Sequence, residues 1–486
     1  MITPNYQEVK KLAKDYSFIP ICKEIYADTL TPISVIKNIL RFGKKHFLFE
    51  SVEGGEKWGR YSFMSFDPNM HIICKDKQIR VDNKVIENLE GRKPNEYLRN
   101  ILAKYKVPKL AGLPPFTGGL VGYFSYEMIS YYEPSLKLKS SQSNDFDLML
   151  FDKVIAFDHL KEKIYIVVNV STKNIDSAYR KALSRIDMIV GLIKEQPSFT
   201  KTKTNSIPKF KCNVSKKEYY QMVSKTKEHI RTGDIFQAVI SRRFEAEYKD
   251  SLLNAYRVLR TTNPSPYMVY LQTDGVELIS TSPETLVKLQ DKKLLTFPIA
   301  GSRPRGRDKQ EDDAYENDLL NDEKELSEHN MLVDLARNDI GKISEYGSVH
   351  LTEYKKINKF SKIMHMVSEV EGIKRDDIDA FDVIESVFPA GTLSGAPKLR
   401  ACEIIQEIEN EPRGIYGGAI GYIDFSGNMD TCIAIRMAVK EKDRVHVQAG
   451  GGIVIDSVAE TEYKEMKDKA SAVVEAILRA GEVDEQ

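Results

Sequence analysis

The chain has 486 residues, of which 42% are hydrophobic and 29% are charged. Lysine plus arginine and aspartate plus glutamate both number 71, so the formal net charge is zero. This composition excludes wholesale disorder, and it has no basic excess that would favour nucleic acid or an anionic membrane surface as a partner. The length allows two domains or one large composite domain.

The cysteines and the hydropathy pattern indicate the compartment. No C-x-x-C pair occurs, and the odd count favours reduced, buried thiols over a disulfide framework. The N-terminus is polar, and no apolar run is long enough to cross a bilayer. We therefore expect a cytoplasmic protein with no membrane segment and no nucleic-acid partner. The five cysteines are Cys22, Cys74, Cys212, Cys402 and Cys432.

The first part of the chain is rich in strand signals. Segments with β-branched and aromatic content lie at 18–27, 45–52, 70–87 and 163–170. Asp82-Asn83 predicts a hairpin turn inside the third of these. Residues 176–195 carry apolar side chains at helical spacing, which predicts a helix that closes this region.

A change of texture follows at residues 196–213, which are rich in Lys, Thr and Ser, contain two prolines and show no periodicity. This segment is the best linker candidate in the chain. Residues 215–233 then begin like a capped helix, with Ser215 and Glu218 in capping-box spacing. A strand is predicted at 234–248. The order of elements predicts an α+β fold with largely antiparallel sheets.

Three consecutive glycines, 450–452, stand between two apolar strand-like runs. The simpler interpretation is a bulge or a tight turn that interrupts the strand. The functional interpretation is a set of exposed backbone amides that bind an anion. The glycines match neither a dinucleotide fingerprint nor a phosphate-binding loop, so nucleotide binding has no support.

Two predicted helices, 321–339 and 461–480, each carry two glutamates three residues apart. One such pair is usually a solvated face near a helix N-terminus. Two pairs can converge on Mg²⁺, which prefers a few carboxylates with water and ligand oxygens completing an octahedron. The pairs are Glu325 with Glu328 and Glu462 with Glu465.

Two further groups are candidates for binding or catalysis. Strand alternation over 430–438 places Arg436 on one face with Cys432 and Ala434, where it could bind a ligand carboxylate or form a structural ion pair. His365 lies in a predicted strand, and a single histidine on an apolar face is usually a core residue.

At these segments the sequence resembles the chorismate-utilising enzyme family, and within it the anthranilate synthase component I members. The motifs cover most of 215–475 in the family's order, and the N-terminal part matches more thinly through FLFES (47–51) and GRYSF (59–63). The motifs are PIAGSRPRGR (298–307), DEKELSEHNMLVDLARND (322–339), MHMVSEVEG (364–372), GTLSGAPKLRA (391–401), RGIYGGAIGY (413–422), DTCIAIR (430–436) and QAGGGIVIDSVAETEYKE (448–465).

The resemblance implies a composite α+β body with two antiparallel β-sheets packed face to face, helices outside them and a smaller N-terminal lobe. It implies a lobe at 1–195 with tryptophan-binding elements, a linker at 196–213 and a chorismate-binding catalytic domain at 214–486. The family's two parts can share sheets, so the sequence break at the linker need not be a structural boundary.

The resemblance also implies the residues of the site. Chorismate is a dicarboxylate: one carboxylate would bind the glycine amides, and the other would bind Mg²⁺. The substrate-binding residues so implied are Gly301, Ser302, Tyr416, Arg436, Gly450, Gly451 and Gly452. The metal ligands so implied are Glu328 and Glu465, supported through water by Glu325 and Glu462. His365 would act as general acid/base in the step that expels pyruvate.

Two positions distinguish members of the family. Relatives that add water carry a lysine where this chain has Gln237, and a neutral amide suits ammonia, which needs no deprotonation. Aminodeoxychorismate-forming relatives often carry a lysine where this chain has Ala300, which cannot act as a nucleophile. Glu284 matches a further acid of the family pattern, and we include it among the catalytic candidates. These choices favour anthranilate formation from chorismate and ammonia.

The resemblance further implies feedback inhibition by tryptophan and a separate glutamine amidotransferase subunit that supplies ammonia, hence a hetero-oligomer. Simple packing is the alternative explanation for the inhibitor residues. The alternatives for the whole chain are an aminodeoxychorismate synthase component I and a non-catalytic tryptophan-sensing subunit. The inhibitor residues so implied are Glu50, Ser51, Pro266, Tyr267 and Met268.

Overall fold

The computed structural model describes residues 2–51, 59–195, 207–359 and 363–484. The strands are β1 Ile2–Thr3, β2 Phe18–Tyr26, β3 His46–Glu50, β4 Tyr61–Phe66, β5 Met70–Lys75, β6 Gln78–Val81, β7 Lys84–Asn88, β8 Gly119–Phe124, β9 Phe146–Phe151, β10 Lys153–Asp158, β11 Lys163–Ser171, β12 Lys211–Cys212, β13 Gln237–Glu247, β14 Tyr267–Gln272, β15 Val276–Ser282, β16 Thr285–Gln290, β17 Lys293–Thr296, β18 Ile299–Pro304, β19 His350–Lys359, β20 Ile363–Ile373, β21 Gly395–Ala396, β22 Ala419–Asp424, β23 Met429–Ile433, β24 Met437–Glu441 and β25 Arg444–Ile453. The α-helices are α1 Tyr6–Leu12, α2 Pro32–Ile39, α3 Asn95–Leu102, α4 Ile129–Tyr132, α5 Ile175–Lys194, α6 Lys216–Arg231, α7 Leu253–Thr262, α8 Lys309–Asn321, α9 Glu323–Gly341, α10 Ala380–Val387, α11 Lys398–Ile408 and α12 Ala459–Leu478.

The described strands form two antiparallel sheets. The first sheet runs in the order β1-β2-β11-β10-β4-β3-β14-β15-β24-β25-β13-β12, with β21 beside β13. The second sheet runs in the order β18-β20-β17-β16-β23-β22-β8-β9-β5-β6-β7, with β19 beside β20. Both sheets contain strands from either side of residues 196–213, since β3 pairs with β14 and β8 pairs with β22. The predicted α+β fold with two antiparallel sheets is confirmed.

The two sheets pack face to face around an aromatic core. Phe47 from the first sheet and Tyr123 and Phe151 from the second are among its fully buried residues. Burying one side chain of this size contributes about 2 kcal/mol. Helices α2, α5, α7 and α12 cover the outer face of the first sheet, and α3, α9 and α10 cover the second. This arrangement confirms the layers predicted from the resemblance.

The local predictions are confirmed at several elements. The predicted strands at 18–27 and 163–170 are β2 and β11, the helix at 176–195 is α5, and the strand at 234–248 is β13. Residue 52 of the predicted strand at 45–52 lies outside the described residues. Asp82 and Asn83 both have positive φ, 48° and 67°, and connect β6 to β7. A second turn of the same kind, at Asp76-Lys77, was not predicted from the sequence.

The capping box at the start of α6 is also confirmed. Ser215 Oγ accepts a hydrogen bond from the backbone N–H of Glu218 at 3.3 Å, and Glu218 Oε2 accepts one from the N–H of Ser215 at 2.8 Å. Of the predicted linker, residues 196–206 lie outside the described residues. Its last part contains β12, which pairs with the edge of β13. The domain boundaries stay a prediction.

The membrane prediction can be compared with the helices of the described residues. None of these helices is long and apolar enough to span a bilayer. The longest, α5 and α12, each have 20 residues and are amphipathic, with one face on the first sheet.

Candidate active site

Two helices present the four predicted metal-binding carboxylates. Helix α9 is capped by Asp322, whose side chain accepts a hydrogen bond from the N–H of Glu325 at 3.2 Å. Burial is the largest cause that raises the pKa of Glu325, Glu328 and Glu462. The negative charge of Glu465 raises the pKa of each of them further. The acids of α9 and α12 therefore face one shared space.

The four carboxylates differ in how their charge is compensated. Ser457 Oγ donates to Glu462 Oε1 at 2.8 Å, Arg303 lies 3.9 Å from Glu325, and Lys469 Nζ lies 2.6 Å from Glu465 Oε1. Glu328 is partly buried and has no hydrogen bond or ion pair with any of the described residues. A partly buried carboxylate without such a partner fits a site for a cation.

The carboxylates are not gathered into a finished coordination shell. No group of three or more His, Cys, Asp or Glu side chains is arranged to hold a metal ion within 2–51, 59–195, 207–359 and 363–484. The negative charge of Glu465 on α12 is close enough to raise the pKa of the two acids on α9. A metal ion would have to draw their carboxylate oxygens together to complete its coordination. The metal assignment stays a prediction that the donor chemistry fits.

The three glycines 450–452 continue β25 instead of interrupting it. They pair in regular register with Ser241, Ile240 and Val239 of β13. The sequence-based interpretation of a bulge or tight turn is therefore wrong. Glycine has no side chain, so it can stay in an extended strand where neighbouring side chains approach the backbone closely. Strand β24 pairs with β25 only as far as Val447. Beyond that point the second edge of β25 has no partner strand in the described part of the chain.

Each glycine lies under the side chain of a residue predicted to belong to the site. A Cβ on Gly450 would be 2.7 Å from the hydroxyl of Tyr416, and one on Gly451 would be 3.2 Å from Glu462 Oε2. A Cβ on Gly452 would overlap the amide nitrogen of Gln237. Gly450 and Gly452 thus open one face of the strand to Tyr416 and Gln237, whereas Gly451 opens the other face to α12.

Gly301 and His365 are joined at a bulge between β18 and β20. The register shifts between Ala300 and Ser302, and the intervening Gly301 has φ of +70°. The carbonyl of Gly301 lies 3.1 Å from Nδ1 of His365, so Nδ1 carries the proton and Nε2 is the nitrogen able to accept one. Burial lowers the pKa of His365 most strongly, and the charge of Arg436 lowers it further. Ser302 is exposed at the rim of this bulge.

Arg436 lies where the chain crosses between the sheets. Strand β23 belongs to the second sheet and β24 to the first, and Arg436 between them has φ of +49°. The predicted strand alternation across 430–438 is therefore wrong, because the strand ends at Ile433 and resumes at Met437 in the other sheet. Burial lowers the pKa of Arg436, and the groups of Tyr416 and Glu465 oppose that shift. The guanidinium thus lies near both the tyrosine and the acidic helix.

The two other catalytic candidates are buried. Burial raises the pKa of Glu284 to about 7, although its carboxylate accepts a hydrogen bond from Thr392 Oγ1 at 2.9 Å. Gln237 is 4% exposed, and its Oε1 atom has no hydrogen-bond partner among the described residues. A buried acceptor without a partner suits a small donor ligand.

The five inhibitor residues divide between the two faces of the first sheet. Glu50 is paired with Met268, and both point towards the helical outer face. The carboxylate of Glu50 accepts hydrogen bonds from Tyr256 at 2.5 Å and from Arg260 at 2.9 and 3.1 Å. Continuing the same register places Ser51 opposite Tyr267, on the face between the sheets.

The hydroxyl of Ser51 is buried and has no hydrogen-bond partner in the described part of the chain. Tyr267 donates to Asp430 Oδ1 at 2.8 Å. Pro266 precedes Tyr267 at the start of β14. Of the five predicted inhibitor residues, Ser51 and Tyr267 are thus the pair whose side chains share the inner face, and the inhibitor assignment stays a prediction.

The chain is similar to one protein family and to several curated proteins over most of its length. The model of the chorismate binding enzyme family matches residues 45–475. Anthranilate synthase component 1 of Acetivibrio thermocellus is 46% identical, with 99% of this chain and 100% of that protein covered. The protein of the same name from Aquifex aeolicus is 44% identical, with 99% of both covered. The chain belongs to the chorismate binding enzyme family.

Two solved structures have a similar fold. The crystal structure of anthranilate synthase component I from Streptococcus pneumoniae matches with a TM-score of 0.77 and 34% identity, over 93% of this chain and 99% of that one. The menaquinone-specific isochorismate synthase of Escherichia coli matches with a TM-score of 0.69 at 17% identity, over 97% of this chain and 98% of that one, which supports the fold alone.

Sequence reasoning missed two residues that contact the candidate site. Thr392 holds Glu284, and its signal was its place in the motif GTLSGAPKLRA. Lys469 contacts Glu465 and the carbonyl of Gly450, at 2.6 and 3.4 Å. Its signal was spacing, because it follows Glu465 by one helical turn.

Proposed function

We propose that the chain is the large subunit of an anthranilate synthase, which converts chorismate and ammonia to anthranilate and pyruvate with Mg²⁺. The observation that carries this proposal is the placing of Arg436 between two features. On one side is Tyr416, whose hydroxyl lies at Gly450 of β25, and on the other is Glu465 of α12, whose charge also acts on Glu325 and Glu328 of α9. One small dicarboxylate can bridge these two ends. The similarity to curated proteins named anthranilate synthase component 1 supports the same activity.

The enolpyruvyl carboxylate of chorismate would bind at the glycine end. Arg436 is a guanidinium that can hold a carboxylate by two hydrogen bonds. Tyr416 can donate its buried hydroxyl. The backbone N–H groups of Gly450 and Gly452, which lie opposite Ser241 and Val239, point away from β13 and can donate alongside it, whereas the N–H of Gly451 points towards β13. The glycine end of the site would orient chorismate and exclude water from its enolpyruvyl group.

Glu328 and Glu465 would hold Mg²⁺, with Glu325 and Glu462 supporting it through water. When bound, Mg²⁺ would accept the ring carboxylate and stabilise the negative charge that develops on the ring. The raised pKa of Glu325 and Glu328 reflects burial and like charge, and a divalent cation would relieve both.

Glu284 would protonate the 4-hydroxyl group, which leaves as water. Its pKa of about 7 keeps a large fraction of the carboxyl protonated near neutral pH. Ammonia attacks at C2 of the ring. The buried Oε1 of Gln237 accepts a hydrogen bond from one N–H group of the ammonia. A neutral carboxamide cannot deprotonate water, which favours ammonia over water as the nucleophile.

His365 would act in the second step, in which the ring becomes aromatic and pyruvate leaves. The hydrogen bond from Nδ1 to Gly301 fixes the neutral tautomer with Nε2 as the proton acceptor. A lowered pKa keeps this nitrogen unprotonated at neutral pH. The proton removed from the ring at C2 is then available for the enolpyruvyl group, which departs as pyruvate.

Ammonia would come from a glutamine amidotransferase subunit in a hetero-oligomer, since the similar curated proteins are named as one component of a synthase. Tryptophan would inhibit the chain by binding between the sheets near Ser51 and Tyr267. The buried Ser51 hydroxyl without a partner supports a polar ligand at that place.

The test is to supply the purified chain with chorismate, Mg²⁺ and an ammonium salt at alkaline pH. We expect fluorescent anthranilate and pyruvate in equal amounts, the latter measured with lactate dehydrogenase. An aminated product that retains its enolpyruvyl group would instead identify an aminodeoxychorismate synthase component I. Tryptophan binding with no turnover of chorismate would identify a sensing subunit.

A further inference from the structure

Lys469 connects three parts of the candidate site. Its ammonium lies 2.6 Å from Glu465 Oε1 and donates to the carbonyl of Gly450 at 3.4 Å. Its backbone carbonyl accepts a hydrogen bond from Nη1 of Arg436 at 3.3 Å. The acidic face of α12, the glycine strand and the substrate-binding arginine thus meet at this one residue.

Among the described residues, the other cations near the four glutamates are placed differently. Arg303 pairs with Asp318 at 2.5 Å and with Asp322 at 2.9 Å, and it is 3.9 Å from Glu325. Lys324 is exposed on α9. Lys469 is therefore the cation that contacts one of the two carboxylates predicted to bind the metal directly.

The pair of Lys469 and Glu465 is open to solvent on one side, with side-chain exposures of 32% and 49%. Such a pair is weak and can exchange partners, because water screens it and both side chains are flexible. A divalent cation binding at Glu465 must either displace the ammonium or bear its repulsion.

We propose that Lys469 is a positioning residue of the metal site, a built-in counter-cation that holds Glu465 in the metal-free chain and is displaced from it when a divalent cation binds. This inference rests on the proposed function. The ammonium orients Glu465 before the metal arrives, and it competes with the metal for the same oxygen. Removing it should therefore strengthen metal binding, whereas a residue with a merely structural role would weaken binding when replaced.

The test is a titration of the full-length chain with Mn²⁺, following the free ion by electron paramagnetic resonance. We expect Lys469→Met to lower the dissociation constant for Mn²⁺ about fivefold, as the loss of one exposed competing ion pair implies. Lys469→Arg should retain the wild-type value. Lys464→Met is the matched control, because Lys464 pairs with Glu460 one turn earlier in the same helix, at 3.3 Å. It should change the constant less than twofold.

An unchanged or weaker affinity in Lys469→Met would overturn the proposal, and so would a wild-type chain with no saturable Mn²⁺ binding. Circular dichroism checks that the variant is folded. If it is not, Lys469→Gln decides by the same titration. Anthranilate formation by the wild-type chain is measured in parallel. Activity together with an unchanged affinity removes this inference and leaves the proposed function standing.

Discussion

The carboxamide of Gln237 lies directly over Gly452, a position left open because that residue has no side chain. In the register of β13 and β25, Val239 is opposite Gly452, so Gln237 and Gly452 are diagonal neighbours on one face of the sheet. The glycine and the amide are therefore a matched pair, and the glycine fixes where the amide can lie.

Gly452→Ala should displace the carboxamide and disturb ammonia addition. A misplacement of about 1 Å at a reacting centre costs about 100-fold in rate, so we expect a fall of that order in kcat/KM with ammonia as the co-substrate. Gly191→Ala is the control. A Cβ there meets nothing within 4 Å in the last turn of α5. It should leave activity unchanged and raise the free energy of unfolding by about 1 kcal/mol.

Glu465→Gln should weaken the response to Mg²⁺, because a neutral amide binds a hard dication poorly. We expect the Mg²⁺ concentration for half-maximal activity to rise by more than about tenfold. Glu460→Gln is a matched change on the same helix. Glu460 pairs with Lys216 at 2.7 Å and with Lys464 at 3.3 Å, so its replacement should leave the Mg²⁺ titration unchanged. Superimposable titrations for Glu465→Gln and wild type would contradict the metal assignment.

His365→Met should separate the two steps of the reaction. The methionine cannot move a proton but has a similar volume, so amination should be spared and pyruvate loss should slow. Single-turnover samples quenched over time and separated by chromatography should show the aminated intermediate accumulating. An equal slowing of both steps would reject the role given to His365.

Glu284 predicts a pH dependence whose sign follows from its raised pKa. The carboxyl is protonated in the folded chain below about pH 7 and ionised above it, so an acid role predicts that the amination rate falls as pH rises through about 7. The rate should be measured at constant free ammonia. Glu127, which hydrogen-bonds the backbone of Arg413, also has a pKa raised by burial to about 7. The decisive comparison is therefore the variant Glu284→Gln. Its amination rate should be low and should not fall further as pH rises through about 7.

Local chemistry made much of the fold predictable from the sequence. The capping box at Ser215 and Glu218 and the turn at Asp82-Asn83 depend on side chains within a few residues, and both appear as predicted. The crossing at Arg436 was not predictable. Strand-like residues continue across it, and the change of sheet is decided by pairing with strands more than 100 residues away in the sequence.

The candidate site, too, was predictable from the sequence only in part. Motif resemblance located the glycines, the acids and His365, and contacts in the structure connect them. It did not show that the glycines remain in a regular strand, because their extended conformation depends on β13. The contact of Lys469 with the site was not predictable, because a lysine four residues after a glutamate is common on solvent-exposed helices.

Glu50 and Ser51 are adjacent in sequence but should respond to substitution in opposite ways. Glu50 is buried against Arg260 and Tyr256, and Glu50→Gln leaves that cluster with an uncompensated guanidinium. Because Arg260 is partly exposed, we expect a loss of about 2 kcal/mol in the free energy of unfolding, measured by urea titration. A change below about 0.5 kcal/mol would contradict a structural role.

Ser51→Phe instead should fill the space between the sheets opposite Tyr267. We expect the tryptophan concentration for half-inhibition to rise at least about tenfold, because the added ring occupies the volume that the inhibitor needs. The uninhibited rate should stay near that of wild type, since Ser51 belongs to neither the acidic helices nor the glycine strand. The measurement is initial rate against tryptophan concentration with saturating chorismate and ammonia. Curves that coincide with wild type would place the inhibitor elsewhere, whereas a lost uninhibited rate would mean that the inner face also supports catalysis.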